Sequence, residues 1–158
     1  MPTDLSNLLT RLVAERVEFI LVGGLAAVAQ GAPITTHDVD IVHQRSAANV
    51  ARLVTLLSDL NARYRGRSGP PLPIDESALL GSGHSLFTTD LGPLDVLGAI
   101  EEGRDYDRLL PEAVSLQLPA GVVRVLSLES IVRFKRLSSE TKDRLMLPIL
   151  EATLRRSG

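Results

Sequence analysis

The chain has 158 residues, of which 44% are apolar and 23% are charged, and this length suits one globular unit with one compact core. It contains no cysteine, which excludes disulfides, zinc–thiolate centres and thiol nucleophiles, so any metal must be bound by carboxylates or imidazoles. Residues 1–126 carry ten basic and fifteen acidic side chains, a net charge of −5, whereas residues 127–158 carry seven and four, a net charge of +3. The basic tail is either a solvated surface or a surface that faces phosphates.

The sequence also argues against a membrane protein. The amino terminus has Asp4 early and Arg11 and Glu15 within its apolar pattern, so it lacks the uninterrupted apolar stretch of a signal peptide. No segment reaches about 18 uncharged apolar residues, the length that a membrane span needs. We therefore expect a soluble, cytoplasmic protein with no membrane partner.

The first part of the chain predicts two helices and two strands. Apolar residues recur at helical spacing over residues 4–16, which predicts an amphipathic first helix. The apolar run Phe19–Val22 predicts a buried strand that ends at a glycine pair. Residues 25–30 are rich in helix formers and stop at a glycine, and residues 37–42 alternate polar and apolar side chains, as in a half-buried strand.

The rest of the chain predicts a helix, a hairpin, a further strand and C-terminal helices. The apolar stripe of residues 46–64 predicts a helix, and the proline- and glycine-rich segment 65–73 predicts a surface loop. The hairpin and the further strand are expected over residues 85–89, 94–97 and 122–126. Ser127 is a suitable N-cap for a helix that runs to Leu137, and Pro148 either kinks the tail or begins its final helix.

Two aspartates lie in the strand predicted over residues 37–42. Asp38 and Asp40 are two positions apart and therefore project from one face of the strand, with their charges forced together. This arrangement costs stability unless a cation neutralises it, and carboxylate oxygens suit Mg²⁺ or Mn²⁺, including pairs of ions about 3.5–4 Å apart. The alternative for this pair alone is a solvent-exposed strand face.

A glycine pair precedes these aspartates. Gly23 and Gly24 lie at the predicted turn from strand to helix, where backbone N–H groups and the positive end of a helix dipole are available to a phosphate. Glycine pairs are also common at ordinary tight turns. Together with the carboxylate pair and with Asp95 on a later apolar strand, however, the combination favours a site for phosphate and metal.

These residues belong to three segments that resemble the signature elements of the DNA polymerase β-like nucleotidyltransferase superfamily. The segments are Val-Gly-Gly-Leu at 22–25, Thr-Thr-His-Asp-Val-Asp-Ile at 35–41 and Leu-Asp-Val-Leu at 94–97. The chain is most similar to the small bacterial branch of that superfamily, which includes AbiEii-like toxin nucleotidyltransferases, minimal nucleotidyltransferases and aminoglycoside nucleotidyltransferases.

The resemblance implies a role for each matched residue. Gly23 and Gly24 would hold the nucleotide phosphates, and Asp38 and Asp40 would bind the metal ions, Mg²⁺ or Mn²⁺. Asp95 would bind the catalytic metal and help to activate the acceptor hydroxyl. The chain departs from the family at Gly24, where many members have a serine whose hydroxyl contacts the triphosphate, but backbone contacts can substitute for it.

Two lysines in the tail extend the resemblance. The segments 128–135 and 142–143 resemble the lysine-bearing helix and the Lys-Asp segment of the AbiEii-like branch. Lys135 also continues the apolar series of its helix, so its ammonium group either extends to the edge of that surface or points into a cleft, where it would bind the triphosphate. Lys142 either binds the nucleotide too or is a solvated residue at a helix end.

Other polar residues are weaker candidates. His37 precedes the carboxylate pair and could contact a substrate, although an ordinary histidine at a strand edge accounts for it as well. Arg63, Arg65 and Arg67 could bind RNA or an acidic partner, but the pattern favours a solvated run of charge.

We therefore expect an α/β (α+β) protein with the nucleotidyltransferase fold, in which helices flank a short mixed sheet and a C-terminal helical segment, residues 127–158, packs on a core formed by residues 1–126. The resemblance implies Mg²⁺-dependent transfer of a nucleoside monophosphate from an NTP to an acceptor hydroxyl on a protein, a tRNA or a small molecule, with a toxin or antitoxin as a further partner. The rival hypothesis is a non-catalytic protein that keeps the fold and binds a nucleotide or a partner.

Overall fold

A seven-stranded mixed sheet organises the chain, and the computed structural model describes residues 3–157. Two further short strands, β6 and β7, pair only with each other. The strands are β1 Phe19–Val22, β2 Val39–His43, β3 Arg63–Tyr64, β4 His84–Thr89, β5 Gly92–Leu97, β6 Ala99–Ile100, β7 Arg104–Asp105, β8 Ala113–Leu118 and β9 Gly121–Leu126. The order in the large sheet is β3-β4-β5-β2-β1-β9-β8. The pairs β2/β5 and β1/β9 are parallel, and the others are antiparallel.

Seven α-helices and two short 3₁₀ turns surround the sheet. The α-helices are α1 Leu5–Ala14, α2 Gly23–Ala29, α3 Ala47–Asp59, α4 Glu76–Leu80, α5 Tyr106–Leu109, α6 Leu128–Leu137 and α7 Thr141–Ser157, and the 3₁₀ turns are Glu101–Gly103 and Leu110–Glu112. Side-chain caps begin several helices, because Asp4, Ser46 and Ser127 each accept a hydrogen bond from the backbone N–H three residues later. The expected mixed sheet flanked by helices is confirmed.

The side chains at the start of β2 alternate between a buried apolar face and a partly exposed face that carries Asp40. Val39 and Ile41 are fully buried, whereas Asp40 between them is partly exposed. His43 shares the face of the two apolar residues, and its Nε2 lies 2.6 Å from the carbonyl oxygen of Leu79 in α4. The helices α3 and α4 contact each other, and the contact with His43 links α4 to β2. Helix α6, by contrast, lines a cavity together with Asp40.

Two predicted helices have different boundaries. The helix predicted over residues 46–64 ends at Asp59, because Asn61 adopts a left-handed conformation with φ of +52° and the N–H of Ala62 bonds back to Leu57. The chain then forms β3 where the helix was expected. Pro148 does not begin the final helix, because α7 already begins at Thr141 and continues through the proline.

Other differences concern short elements. The strand predicted over residues 37–42 is shifted to Val39–His43. The edge strand β8 was not predicted, although Val114, Leu116 and Leu118 alternate with polar residues in the way a strand does.

Within residues 3–157, no helix is long and apolar enough to cross a membrane.

Candidate active site

The carboxyl groups of three aspartates come together on one face of the large sheet. Asp40 in β2 and Asp95 in β5 are register partners of a parallel pair, so their side chains leave the same face on adjacent strands. Asp38 precedes β2 by one residue and joins them. One carboxylate oxygen from each of the three lies within 4.8 Å of the others. The geometry therefore offers three hard oxygen ligands for one divalent cation.

Gly23 allows Asp40 to lie against the backbone. Val22 pairs with Asp40 across β1 and β2, and the chain turns immediately afterwards with a φ of +72° at Gly23. A Cβ atom at this position would lie 2.3 Å from Oδ2 of Asp40, which is shorter than any van der Waals contact. Glycine is therefore required here both by conformation and by the space that the carboxylate occupies.

Burial and the neighbouring carboxylates disfavour the charged form of Asp40. Burial, together with the negative charges of Asp38 and Asp95, raises the pKa of Asp40 from 3.8 to about 8, although the ammonium group of Lys142 acts in the opposite direction. Its Oδ1 atom is buried and has no hydrogen-bond partner among the described residues. A cation bound by the three aspartates would give that oxygen a partner and favour the ionised form of Asp40.

Arg65 is a member of this site that the sequence did not reveal. Its guanidinium donates to Oδ1 of Asp95 at 2.7 Å and to the carbonyl oxygen of Phe87 at 2.7 Å. Arg63, Arg65 and Arg67 are all exposed, as the hypothesis of a solvated run of charge expects, but the guanidinium of Arg65 is also paired with Asp95. A strand pattern was present, because Arg63 and Arg65 flank an aromatic residue, but the apolar stripe of the preceding helix obscured it.

Lys135 is held by a buried carboxylate. Its Nζ atom donates to Oδ1 of Asp143 at 2.7 Å, and the hydroxyl of Ser138 donates to Oδ2 of the same residue at 2.6 Å. Asp143 is only 9% exposed. Burial by itself would raise the pKa of Asp143, but the hydrogen bonds from Lys135 and Ser138 and the nearby ammonium groups outweigh it and lower that pKa. This ion pair joins α6 to α7 and holds the ammonium group of Lys135 between the two helices.

The predicted site residues all line one cavity of about 510 Å³. Lys142, in the first turn of α7, is exposed and is one of them. A Cβ atom at Gly24 would lie 3.0 Å from the hydroxyl oxygen of Thr36, so this hydroxyl fills part of the space beside the glycine. The lining residues include Gly23, Gly24, His37, Asp38, Asp40, Arg65, Asp95, Lys135, Lys142 and Asp143.

Solved structures share this architecture, although no family model matches the chain and no curated protein matches it significantly. The lincomycin-bound lincosamide antibiotic adenylyltransferase LnuA aligns with a TM-score of 0.64 and 15% identity over 94% of this chain and 95% of its own. The antibiotic-resistance factor ANT(2")-Ia, in complex with adenylyl-2"-tobramycin, aligns with a TM-score of 0.59 and 14% identity over 95% and 87%. A protein of Thermotoga maritima, provisionally assigned as a nucleotidyltransferase, aligns with a TM-score of 0.56 and 19% identity over 96% and 88%. The chain therefore has the nucleotidyltransferase fold.

The raised pKa of Asp40 predicts a pH-dependent gain in stability for Asp40→Asn. The stabilising contribution of protonated Asp40 is fully present below about pH 4, the range of its unfolded-state pKa, and is lost as the pH rises through about 8. In metal-free buffer, Asp40→Asn should therefore exceed the wild type in free energy of unfolding by about 1–3 kcal/mol at pH 8–9 and by less at pH 5. Urea denaturation at the two pH values measures this difference. The exposed Asp107→Asn is the control, and a loss of stability in Asp40→Asn at pH 8–9 would contradict the account.

A second prediction concerns the contact between Gly23 and Asp40. Gly23→Ala combines a left-handed φ with a clash against the carboxylate, whereas Gly103→Ala places its methyl group at a nearly equal φ of +71° with no atom within 4 Å. Gly103→Ala should lose about 1 kcal/mol of unfolding free energy, and Gly23→Ala should lose roughly 1–3 kcal/mol more. Equal losses in urea denaturation would show that the close approach of Asp40 is unimportant.

Proposed function

We propose that the protein is a nucleotidyltransferase that transfers a nucleoside monophosphate from an NTP to an acceptor hydroxyl and releases pyrophosphate. The observation that carries the proposal is the meeting of three carboxylates with the lysines of α6 and α7 in one cavity. Such a cavity pairs a site for a divalent cation with positive charge for a polyphosphate. The fold, shared with adenylyltransferases, is consistent with it.

The residues of the triad fit Mg²⁺ or Mn²⁺. Asp38, Asp40 and Asp95 supply only carboxylate oxygens, which these ions prefer, and Asp40 has a buried oxygen without a partner. When bound, the cation would neutralise charge on the reacting phosphate and acidify the acceptor hydroxyl.

The chain's own groups would then position the two substrates. The backbone at Gly23 and Gly24 would lie against the phosphates, and Lys135 and Lys142 would contact the anionic tail of the nucleotide. Asp95 would accept the proton of the acceptor hydroxyl. At the same time the acceptor oxygen would bond to the α-phosphorus, and the bond from phosphorus to the pyrophosphate oxygen would break. Arg65 donates a 2.7 Å hydrogen bond to Oδ1 of Asp95 and so orients this carboxylate. Most of the rate enhancement would come from this positioning and from charge neutralisation.

The acceptor is the least constrained part of the proposal. We favour a small-molecule acceptor, because the similar structures include a lincomycin complex and an adenylyl-tobramycin complex. A protein side chain or a tRNA end, the acceptors expected for one half of a toxin–antitoxin pair, are the alternatives that experiment must separate.

Labelling with each α-³²P-labelled NTP tests the proposed function. Wild-type protein incubated with Mg²⁺ and a bacterial extract should release pyrophosphate and transfer label to one class of molecule, and Asp38→Asn should reduce the transfer by about a hundredfold or more. NTP binding without transfer to any component of the extract would instead favour the rival hypothesis of a non-catalytic nucleotide-binding protein.

A further prediction separates a nucleotide contact at Lys135 from a purely structural ion pair. Lys135→Met should weaken Mg²⁺–NTP binding by roughly 1.5–3 kcal/mol, or about ten- to a hundredfold in affinity, because a charge-assisted contact is lost. Arg136 is the matched control, since it also joins α6 to α7, through Glu151 at 3.0 Å, but does not line the cavity. Calorimetry should show Arg136→Met binding like the wild type. Equal affinity of Lys135→Met and the wild type would reject the role in nucleotide binding.

A further inference from the structure

A second cavity lies beside the candidate active site and shares Arg65 with it. This cavity has a volume of about 730 Å³, within the range of small-molecule sites. Its wall includes Leu86 of β4, Ala78 of α4 and the segment 72–75. Arg65 also lines the cavity that contains the triad. The two cavities are therefore neighbours, and one side chain forms the boundary between them.

The strand register shows how close the second cavity is to the triad. Asp40 pairs with Asp95 across β2 and β5, and Asp95 pairs with Leu86 across β5 and β4. Directly paired residues leave the same face of a sheet, with Cβ atoms about 4.5–5.5 Å apart in an antiparallel pair. Leu86, which is 40% exposed, is therefore the immediate neighbour of the third carboxylate. A molecule bound over Leu86 would have one end next to Asp95.

The walls of this cavity are ordered by contacts of their own. The hydroxyl of Tyr64 accepts a hydrogen bond from the backbone N–H of Asp75 at 2.9 Å, and the ring of Tyr64 packs on Phe87 with centroids 4.9 Å apart. These contacts join β3 to the start of α4 and to β4. The cavity is therefore present before any ligand binds.

The lining selects a particular chemistry. Its apolar surface comes from Tyr64, Leu72, Ile74 and Leu86, and its positive charge comes from Arg67 and from Arg65, the latter already paired with Asp95. The lining carboxylate, Asp75, caps α4 by accepting from the N–H of Ala78 at 3.2 Å. A ligand with several positive charges would meet two guanidinium groups here, whereas an apolar group would be removed from water.

We propose that this second cavity binds the acceptor, and that the acceptor is a small hydroxyl-bearing molecule with an apolar part and without a cluster of positive charges. The inference rests on the proposed nucleotidyl transfer. The apolar part would lie over Leu86, and the hydroxyl would reach past Arg65 to Asp95. There its oxygen bonds to the α-phosphorus of the NTP, its proton passes to Asp95, and the bond from phosphorus to the pyrophosphate oxygen breaks.

Filling the cavity by mutation tests the inference. Leu86→Trp places a large side chain in the cavity from β4. Ala78→Trp does the same from α4 and leaves β2 and β5, which carry the aspartates, unchanged. Val114→Trp is the matched control, because Val114 is an exposed apolar strand residue, 39% exposed against 40% for Leu86, at the opposite edge of the sheet. The assay supplies α-³²P-labelled NTP, Mg²⁺ and the low-molecular-mass fraction of a bacterial extract as acceptor, and parallel calorimetry measures NTP binding.

The wild type and Val114→Trp should transfer label to a small molecule. The labelled product should not bind to a cation-exchange resin. Both cavity variants should lose about tenfold or more of this transfer while binding Mg²⁺–NTP as the wild type does. Undiminished transfer by both cavity variants, a polycationic product, or label found only on protein or RNA in whole extract would overturn the inference. Absence of NTP binding or of any labelled product with the wild type would instead refute the proposed nucleotidyl transfer on which it rests.

Discussion

The repulsion among three carboxylates is the constraint on which the rest of the site depends. The parallel register of β2 and β5 places Asp40 beside Asp95, and Asp38 follows from the turn into β2. Burial disfavours the charged form of Asp40, the negative charges of Asp38 and Asp95 disfavour it further, and the pKa of Asp40 rises to about 8 as a result. A fold that maintains such a cluster gives up stability unless a cation or a cationic side chain compensates.

Several residues around the aspartates reduce that repulsion or leave room for the carboxylates. Gly23 has no side chain and leaves room for Asp40, while Arg65 neutralises Asp95 directly. Lys142 stabilises the ionised form of Asp40 from the start of α7. Lys135 is kept close to the same cavity by Asp143, so positive charge from both C-terminal helices faces the triad. Together these groups form a site suited to a cation and a polyphosphate.

The sequence predicted what local patterns encode and missed what distant contacts create. The alternation around Asp38 and Asp40, the glycine pair and the apolar stripe containing Lys135 are local, and each located a residue of the cavity. Arg65 meets Asp95 across 30 positions, and this contact depends on how β3, β4 and β5 align.

The boundary of α3 was missed for a related reason. Apolar residues continue past Asn61, where a left-handed turn ends the helix, so the pattern hid β3, the short strand that immediately precedes Arg65.

Proton release on metal binding tests the central claim most directly. At pH 7 a carboxyl group with a pKa of about 8 is about 90% protonated, so a cation bound by Asp38, Asp40 and Asp95 must displace close to one proton. Calorimetric titration of the wild type with Mn²⁺ in buffers of different ionisation enthalpy should show this release, and Asp40→Asn should not show it. Binding of Mn²⁺ by the wild type without proton release, or no binding at all, would contradict the account.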